Sequence, residues 1–265
     1  MPGPVDLPDP TQRFAELAEL PDDELPLAES ALVVAAHDHP LDVDAQLARL
    51  DVLAARAAHG DVGSLLHVLF EEEGLTGDAH DYHHPDNSFL DRVLDRGRGL
   101  PILLSVVTLE VAARAGVCLA PVAMPGHFLL RDCHHPDRFV DPFDDGAQID
   151  RAGAAAIFGR LHGGAPPPGS VLEPVDANVV LVRVVTNLVH TYRQRGPVRS
   201  LAWAVHLRAL LVGGAAWEDA ALLRERTGEW HLAAEAWDQV SAVARDPSSA
   251  VEPGRRALAA RARAN

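Results

Sequence analysis

Gly99-Leu-Pro-Ile-Leu-Leu-Ser-Val-Val-Thr-Leu-Glu-Val-Ala-Ala-Arg-Ala-Gly116 decides how the rest of the chain is read. Pro101 stands where the first residue of a helix belongs, its φ preset and no N–H to leave unsatisfied. Gly116 stands where a left-handed cap belongs. Between them Ile102, Leu103, Leu104, Val106, Val107, Leu109 and Val111 wrap most of the helical circumference. A helix apolar nearly all round is predicted to lie in the middle of a domain. Its roughly 15 residues are too few to cross a bilayer.

Working outward on the N-terminal side, Asn87-Ser-Phe-Leu-Asp-Arg-Val-Leu94 reads as a short helix with an Asn or Ser cap. Before it, Gly74–Asn87 is a loop rich in Gly, Asp and His. Three segments with three- and four-residue apolar spacing precede the loop. They carry Leu25, Leu27 and Leu32, then Leu47, Leu50 and Leu53, then Leu65, Leu66 and Leu69. They predict a helical subdomain from Pro21. Residues 1–20 begin with four prolines in ten and are expected to be a mobile leader.

On the C-terminal side, Val117–Met124 reads as a strand, and Pro125-Gly126 turns the chain. His127-Phe-Leu-Leu-Arg131 and Arg138-Phe-Val-Asp141 read as two strands joined by a polar hairpin loop. The Pro/Gly-rich stretch 163–175 is expected to be a linker. Residues 176–265 read as helix pairs turning at Gly196 and Gly228, with a last segment after Pro253. Trp217, Gly228, Ala233 and Trp237 fall near tetratricopeptide positions. Trp217, Trp230 and Trp237 are expected to be repeat core rather than a peptide platform.

Composition excludes some chemistries. All 23 basic residues are arginine. There is no Schiff-base lysine, lysine general base or phosphate-loop lysine. A net charge of −15 argues against a general nucleic-acid or membrane-surface partner, since both are polyanionic. Cys118 and Cys133 could pair in principle, but residues 1–10 carry no signal-peptide pattern, and a cytoplasmic location with two free thiols is expected.

His127 and Asp141 bracket the predicted hairpin. Folding about a loop centred near residues 134–136 brings position 127 opposite the low 140s. An imidazole beside a carboxylate is how a general base is oriented. His80, His83, His84, His134 and His135 match no structural zinc spacing, and no metal or cofactor is expected.

The order of helix, His strand and Asp strand resembles the transglutaminase-like superfamily, which is papain-like with the order Cys, His, Asp. Counting back from Gly116 along that pattern places Pro101 where the cysteine belongs. Neither Cys118, after the helix, nor Cys133, in the hairpin loop, can substitute. Asn87-Ser-Phe-Leu, Val93-Leu-Asp-Arg96, Gly99-Leu-Pro-Ile-Leu-Leu-Ser105, Pro125-Gly-His-Phe-Leu-Leu-Arg131 and Asp141-Pro-Phe143 together resemble the bacterial SirB family, a branch of that superfamily. The resemblance implies an α+β fold. It has a helical subdomain and a papain-like core over 21–162, then an all-α tetratricopeptide-like region. It implies a cleft holding His127 and Asp141 as a remnant dyad, with Asn87, Pro101 and Ser105 beside it. The expected role is to bind a protein or peptide partner without catalysis. The alternative is a cysteine-independent amide hydrolase or transferase using His127 and Asp141.

Overall fold

A computed structural model describes residues 9–57, 60–244 and 246–264. In chain order the helices are α1 (Pro10–Ala18), α2 (Leu27–Ala35), α3 (Val43–Arg56), α4 (Val62–Leu66), α5 (Leu90–Arg96) and α6 (Pro101–Arg114). They continue as α7 (Arg151–Leu161), α8 (Ala177–Arg195), α9 (Val198–Val212), α10 (Ala216–Thr227), α11 (Trp230–Ala242) and α12 (Pro247–Ala264). The strands are β1 (Thr76–Gly77), β2 (Arg98–Gly99), β3 (Leu119–Val122), β4 (Leu129–Asp132), β5 (Arg138–Asp141) and β6 (Ala147–Asp150). Two compact units result, residues 20–184 and residues 1–19 with 185–265.

In the 20–184 unit, α6 is the central element. Every residue from Pro101 to Thr108 is buried. Its two buried hydroxyls are satisfied inside the helix. Ser105 Oγ donates to the Pro101 carbonyl at 2.7 Å, and Thr108 Oγ1 donates to Leu104 at 2.8 Å. Such i−4 bonds let polar side chains sit in a buried helix. The helix ends in a Schellman pair: Val117 N–H donates to Ala112, Gly116 N–H to Ala113, and Gly116 has φ +74°. On its less buried side Glu110 accepts from Ala28 N–H at 3.1 Å, capping the start of α2.

The sheet is an antiparallel meander in the order β3-β4-β5-β6. Its register pairs Val122 with Leu129, Leu130 with Val140, and Asp141 with Ala147. Val122, Met124, Leu129 and Phe139 pack with Ala154 and Phe158 of α7. α6 lies against β3 and β4. β1 and β2 form a separate parallel ladder, pairing Gly77 with Gly99.

Several expectations need correction. Cys118 and Cys133 are not free but form a disulfide, with Cα atoms 5.5 Å apart. The register explains it: Leu119 pairs with Asp132, so 118 and 133 are the next cross-strand pair. Neither periodicity nor spacing exposes such a pairing. The stretch 163–175 is not a free linker. Leu172 is buried in the core under α7, and Val175 N–H donates to the Pro121 carbonyl at the β3 edge at 2.9 Å. Of the leader, residues 1–8 lie outside the described residues, but Pro10–Ala18 is helical. It is capped by Asp9 and buries Phe14 and Leu17.

In the other unit, α1 packs on α9, and α9 to α12 each pack on the next. α12 starts at Pro247 and continues through Pro253 rather than beginning after it. Trp217 and Trp237 are buried there. The Trp237 indole donates to Glu225 at 2.8 Å, and the Arg256 guanidinium lies 4.1 Å over its ring. Among the described residues no helix is long and apolar enough to cross a membrane.

Candidate functional site

The site is built on the two ends of the hairpin. Pro125-Gly126 turns the chain with Gly126 at φ +80°, and His127 N–H closes the turn on the Met124 carbonyl. His127 therefore sits in the turn before β4, not on the strand as expected. The buried Phe128 and Leu129 immediately after it anchor the turn to the core. Asp141 closes β5. Its backbone carbonyl accepts from Asp144 and Gly146, which tightens the turn into β6. Gly146 takes φ +72°, and a Cβ there would lie 2.4 Å from the Phe70 ring, so only glycine fits.

His127 Nε2 donates to Asp141 Oδ2 at 2.8 Å. The carboxylate's other oxygen accepts the Phe143 N–H at 3.0 Å. The pair is largely buried, with side chains 12% and 6% exposed. With Nε2 committed to the carboxylate, neutral His127 carries its lone pair on Nδ1. The Phe143 ring stands edge-on to His127 at 6.1 Å and to Tyr82 at 6.0 Å.

These groups line one cleft of about 970 Å³. Its walls include Gly77, Tyr82, Pro101, His127, Asp141 and Phe143, with Arg160 and Leu161 at the α7 side. Pro101 and the His127–Asp141 pair, predicted together, do share it. Ser105 and Asn87 do not line it. Ser105 is fully buried one turn inside α6. Asn87 is also fully buried, and it is neither a helix cap nor a cleft residue.

Asn87 instead holds the loop that carries Tyr82. Its Nδ2 donates to the Asp81 carbonyl at 2.8 Å, and its Oδ1 accepts from Arg96 at 3.0 Å. Arg96 reaches on to Asp78 Oδ2 at 3.3 Å, while Asp81 N–H donates to Asp78 Oδ1 at 3.1 Å. Sequence reasoning missed this network and Tyr82, since a loop has no period to read. The Asp81 N–H holds the Asp78 carboxyl below its ordinary value, helped by Asn87 and Arg96. A depressed carboxyl adds stability above its unfolded value, about 3.9, that is lost as pH falls through the folded value. Asp78→Asn is therefore expected to cost about 2 kcal/mol at pH 7. Denaturant melts should show that difference from wild type shrinking below pH 4.

The histidine-rich segments scatter. His84 Nδ1 accepts from Asp86 N–H, and His135 Nδ1 meets Asp132 at 2.9 Å. Among the described residues no three metal-ligating side chains converge.

Residues 36–186 match the family described as transglutaminase-like superfamily, which takes in α6, His127 and Asp141. The chain belongs to the transglutaminase-like superfamily. Within it, similar curated proteins are UPF0162 proteins. One from Xylella fastidiosa is 33% identical over 66% of this chain and 68% of its own length. One from Pseudomonas aeruginosa is 29% identical over 72% and 74%. Human F-box only protein 21 is 31% identical over 49% of this chain but only 21% of its own length. No solved structure matches the chain at a significant level. The matched region includes α6, which begins at Pro101, and the His127–Asp141 pair, and Pro101 lines the same cleft as that pair.

Proposed function

We propose that the 20–184 unit is a thiol-free transglutaminase-like core whose cleft binds a peptide segment of a protein partner without turning it over. The observation that carries this reading is Pro101 at the first position of α6, lining the cleft that holds the His127–Asp141 pair. A superfamily nucleophile at that position would draw on the helix dipole and on His127. Proline supplies neither a thiol nor an N–H. Ser105, one turn into the helix, offers no replacement, because its Oγ donates to the Pro101 carbonyl. The two cysteines are paired at the far end of the β3–β4 hairpin. What remains is a concave surface at the top of the size range of ligand pockets. Apolar walls from Tyr82, Phe143, Ile157 and Leu161 and bare backbone at Gly77 and Gly126 suit an extended chain.

The test is amide-detected NMR of the full chain during titration with a pool of blocked hexapeptides. Expected are shifts at the amides of Gly77, Tyr82, His127 and Phe143, with every peptide recovered intact. Cleavage or transamidation that disappears in His127→Ala would replace this reading with an enzymatic one. Shifts confined to other surfaces would end it.

A further inference from the structure

One charged group behind the cleft wall is left over by the binding reading. Arg183, in the second turn of α8, is partly buried behind the turn that carries His127. Its Nη2 reaches the Met124 carbonyl at 3.3 Å and the His127 carbonyl at 3.4 Å. Both are at the long end of hydrogen-bond distances. Among the described residues no carboxylate pairs with Arg183. Burial pushes its pKa down, and the one group counteracting this is Tyr82. Tyr82 cannot balance the charge, since burial raises its own pKa and keeps the phenol neutral. A cation withdrawn from water without a counter-charge is costly. Holding two carbonyls does not require that cost, because a neutral amide donor would serve them.

The missing counter-charge is in the direction of the cleft. Arg183 does not itself line the cleft, but two of its three neighbours, the His127 backbone and Tyr82, belong to cleft-lining residues, while Met124 does not. Arg160 lines the same cleft, is exposed, and has no ion-pair partner among the described residues. Among the described residues, two acidic residues line the cleft. Asp141 is spent on His127 and the Phe143 N–H, and Asp144 is exposed on the turn into β6. In a chain of net charge −15, Arg160 on the cleft wall and Arg183 behind the His127 turn have no carboxylate partner among the described residues.

We propose that the cleft binds its peptide through a carboxylate, with Arg183 as the electrostatic anchor and Arg160 as a second cation on the α7 side. This rests on the peptide-binding reading above and specifies the ligand class for it. The carboxylate is supplied either by a peptide C-terminus or by an acidic side chain. Arginine suits either, since its fork matches the carboxylate geometry.

Isothermal titration of the full chain at low salt decides between the sources and tests the assignment. Three acetylated hexapeptides of one Ala/Leu backbone are used: a free C-terminal carboxylate, a C-terminal amide with one internal Glu, and a C-terminal amide with Gln in its place. At least one carboxylate peptide is expected to bind tenfold or more tightly than the neutral one, and which one does identifies the source. Arg183→Gln keeps donors for the two carbonyls and is expected to bring that preference within twofold. Arg160→Gln, on an exposed position, is expected to reduce it about threefold, and it guards against misfolding of the Arg183 variant. Equal binding of all three peptides at the cleft overturns the carboxylate assignment and leaves peptide binding standing. Full preference retained in Arg183→Gln overturns the role of Arg183. If no peptide binds the cleft, the reading beneath the proposal falls and the proposal with it.

Discussion

Pro101→Cys is expected to give the cleft a fast-reacting thiol. The position is the first residue of a 14-residue helix, where unsatisfied N–H groups and the macrodipole favour an anion. It shares its cleft with His127, whose Nδ1 has no bonding partner among the described residues. Thiols in such surroundings fall from about 8.5 into the range of about 3.5–7.5. At pH 7 an ordinary thiol is only a few per cent thiolate, so alkylation by iodoacetamide should accelerate about tenfold over an unstructured cysteine peptide. The fold should tolerate the change. The restored N–H sits among helix-start donors that have no intrahelical acceptor anyway, and loss of the proline's preset φ costs about 0.4–1 kcal/mol. The unreduced parent chain supplies the baseline, since Cys118 and Cys133 are joined. Ser105→Cys supplies the second control: fully buried within α6, it should react slowly. Adding His127→Ala to the Pro101→Cys chain should remove part of the acceleration. A Pro101→Cys thiol no faster than the free peptide would mean that this cleft is not arranged around the start of α6.

The readable parts of the fold were those with a strong period or an unambiguous end. α6 announces itself through Pro101, Gly116 and seven large apolar residues between them. β4 and β5 follow from two short apolar runs around a polar loop, and folding that loop puts His127 near Asp141. The geometry then refined the reading. The observed register pairs Leu130 with Val140, which carries 127 toward 143 rather than 141, and the side chains close the gap. The unreadable parts depend on long-range pairing of very short pieces. β1 and β2 are two residues each, too short for any period, and they pair across about twenty positions. Asn87, Arg96 and Asp78 meet only because that ladder brings the loop back to the start of α6. Asn87 looked like a cap because its neighbours begin a helix, yet Phe89 holds the cap position and Asn87 turns inward. Nothing in the sequence around Arg183 marks it as half-buried. Only the packing of the 124–127 turn reveals its burial.

The short ladder that sequence could not show is where a single methyl group is expected to do the most structural damage. A Cβ added at Gly77 would lie 2.5 Å from both Cδ2 and the backbone oxygen of Phe143. The ring could rotate, but the carbonyl cannot move without its strand end. Phe143 N–H is bonded to Asp141, and Asp141 is bonded to His127, so displacement at 143 passes directly to the pair. Overpacking of this kind costs typically 1–3 kcal/mol, and a backbone contact places Gly77→Ala near the top, at about 3 kcal/mol. Denaturant midpoints measure the loss, and His127 side-chain NMR signals report the displaced pair. The double variant with Phe143→Ala separates the two contacts. It removes the ring but leaves the carbonyl oxygen, so it should recover only part of the stability and leave the His127 signals shifted. Complete recovery would mean that the ring alone fills the space beside Gly77. A Gly77→Ala chain with unchanged stability and unmoved His127 signals would show that the β1–β2 ladder does not hold the cleft wall at all.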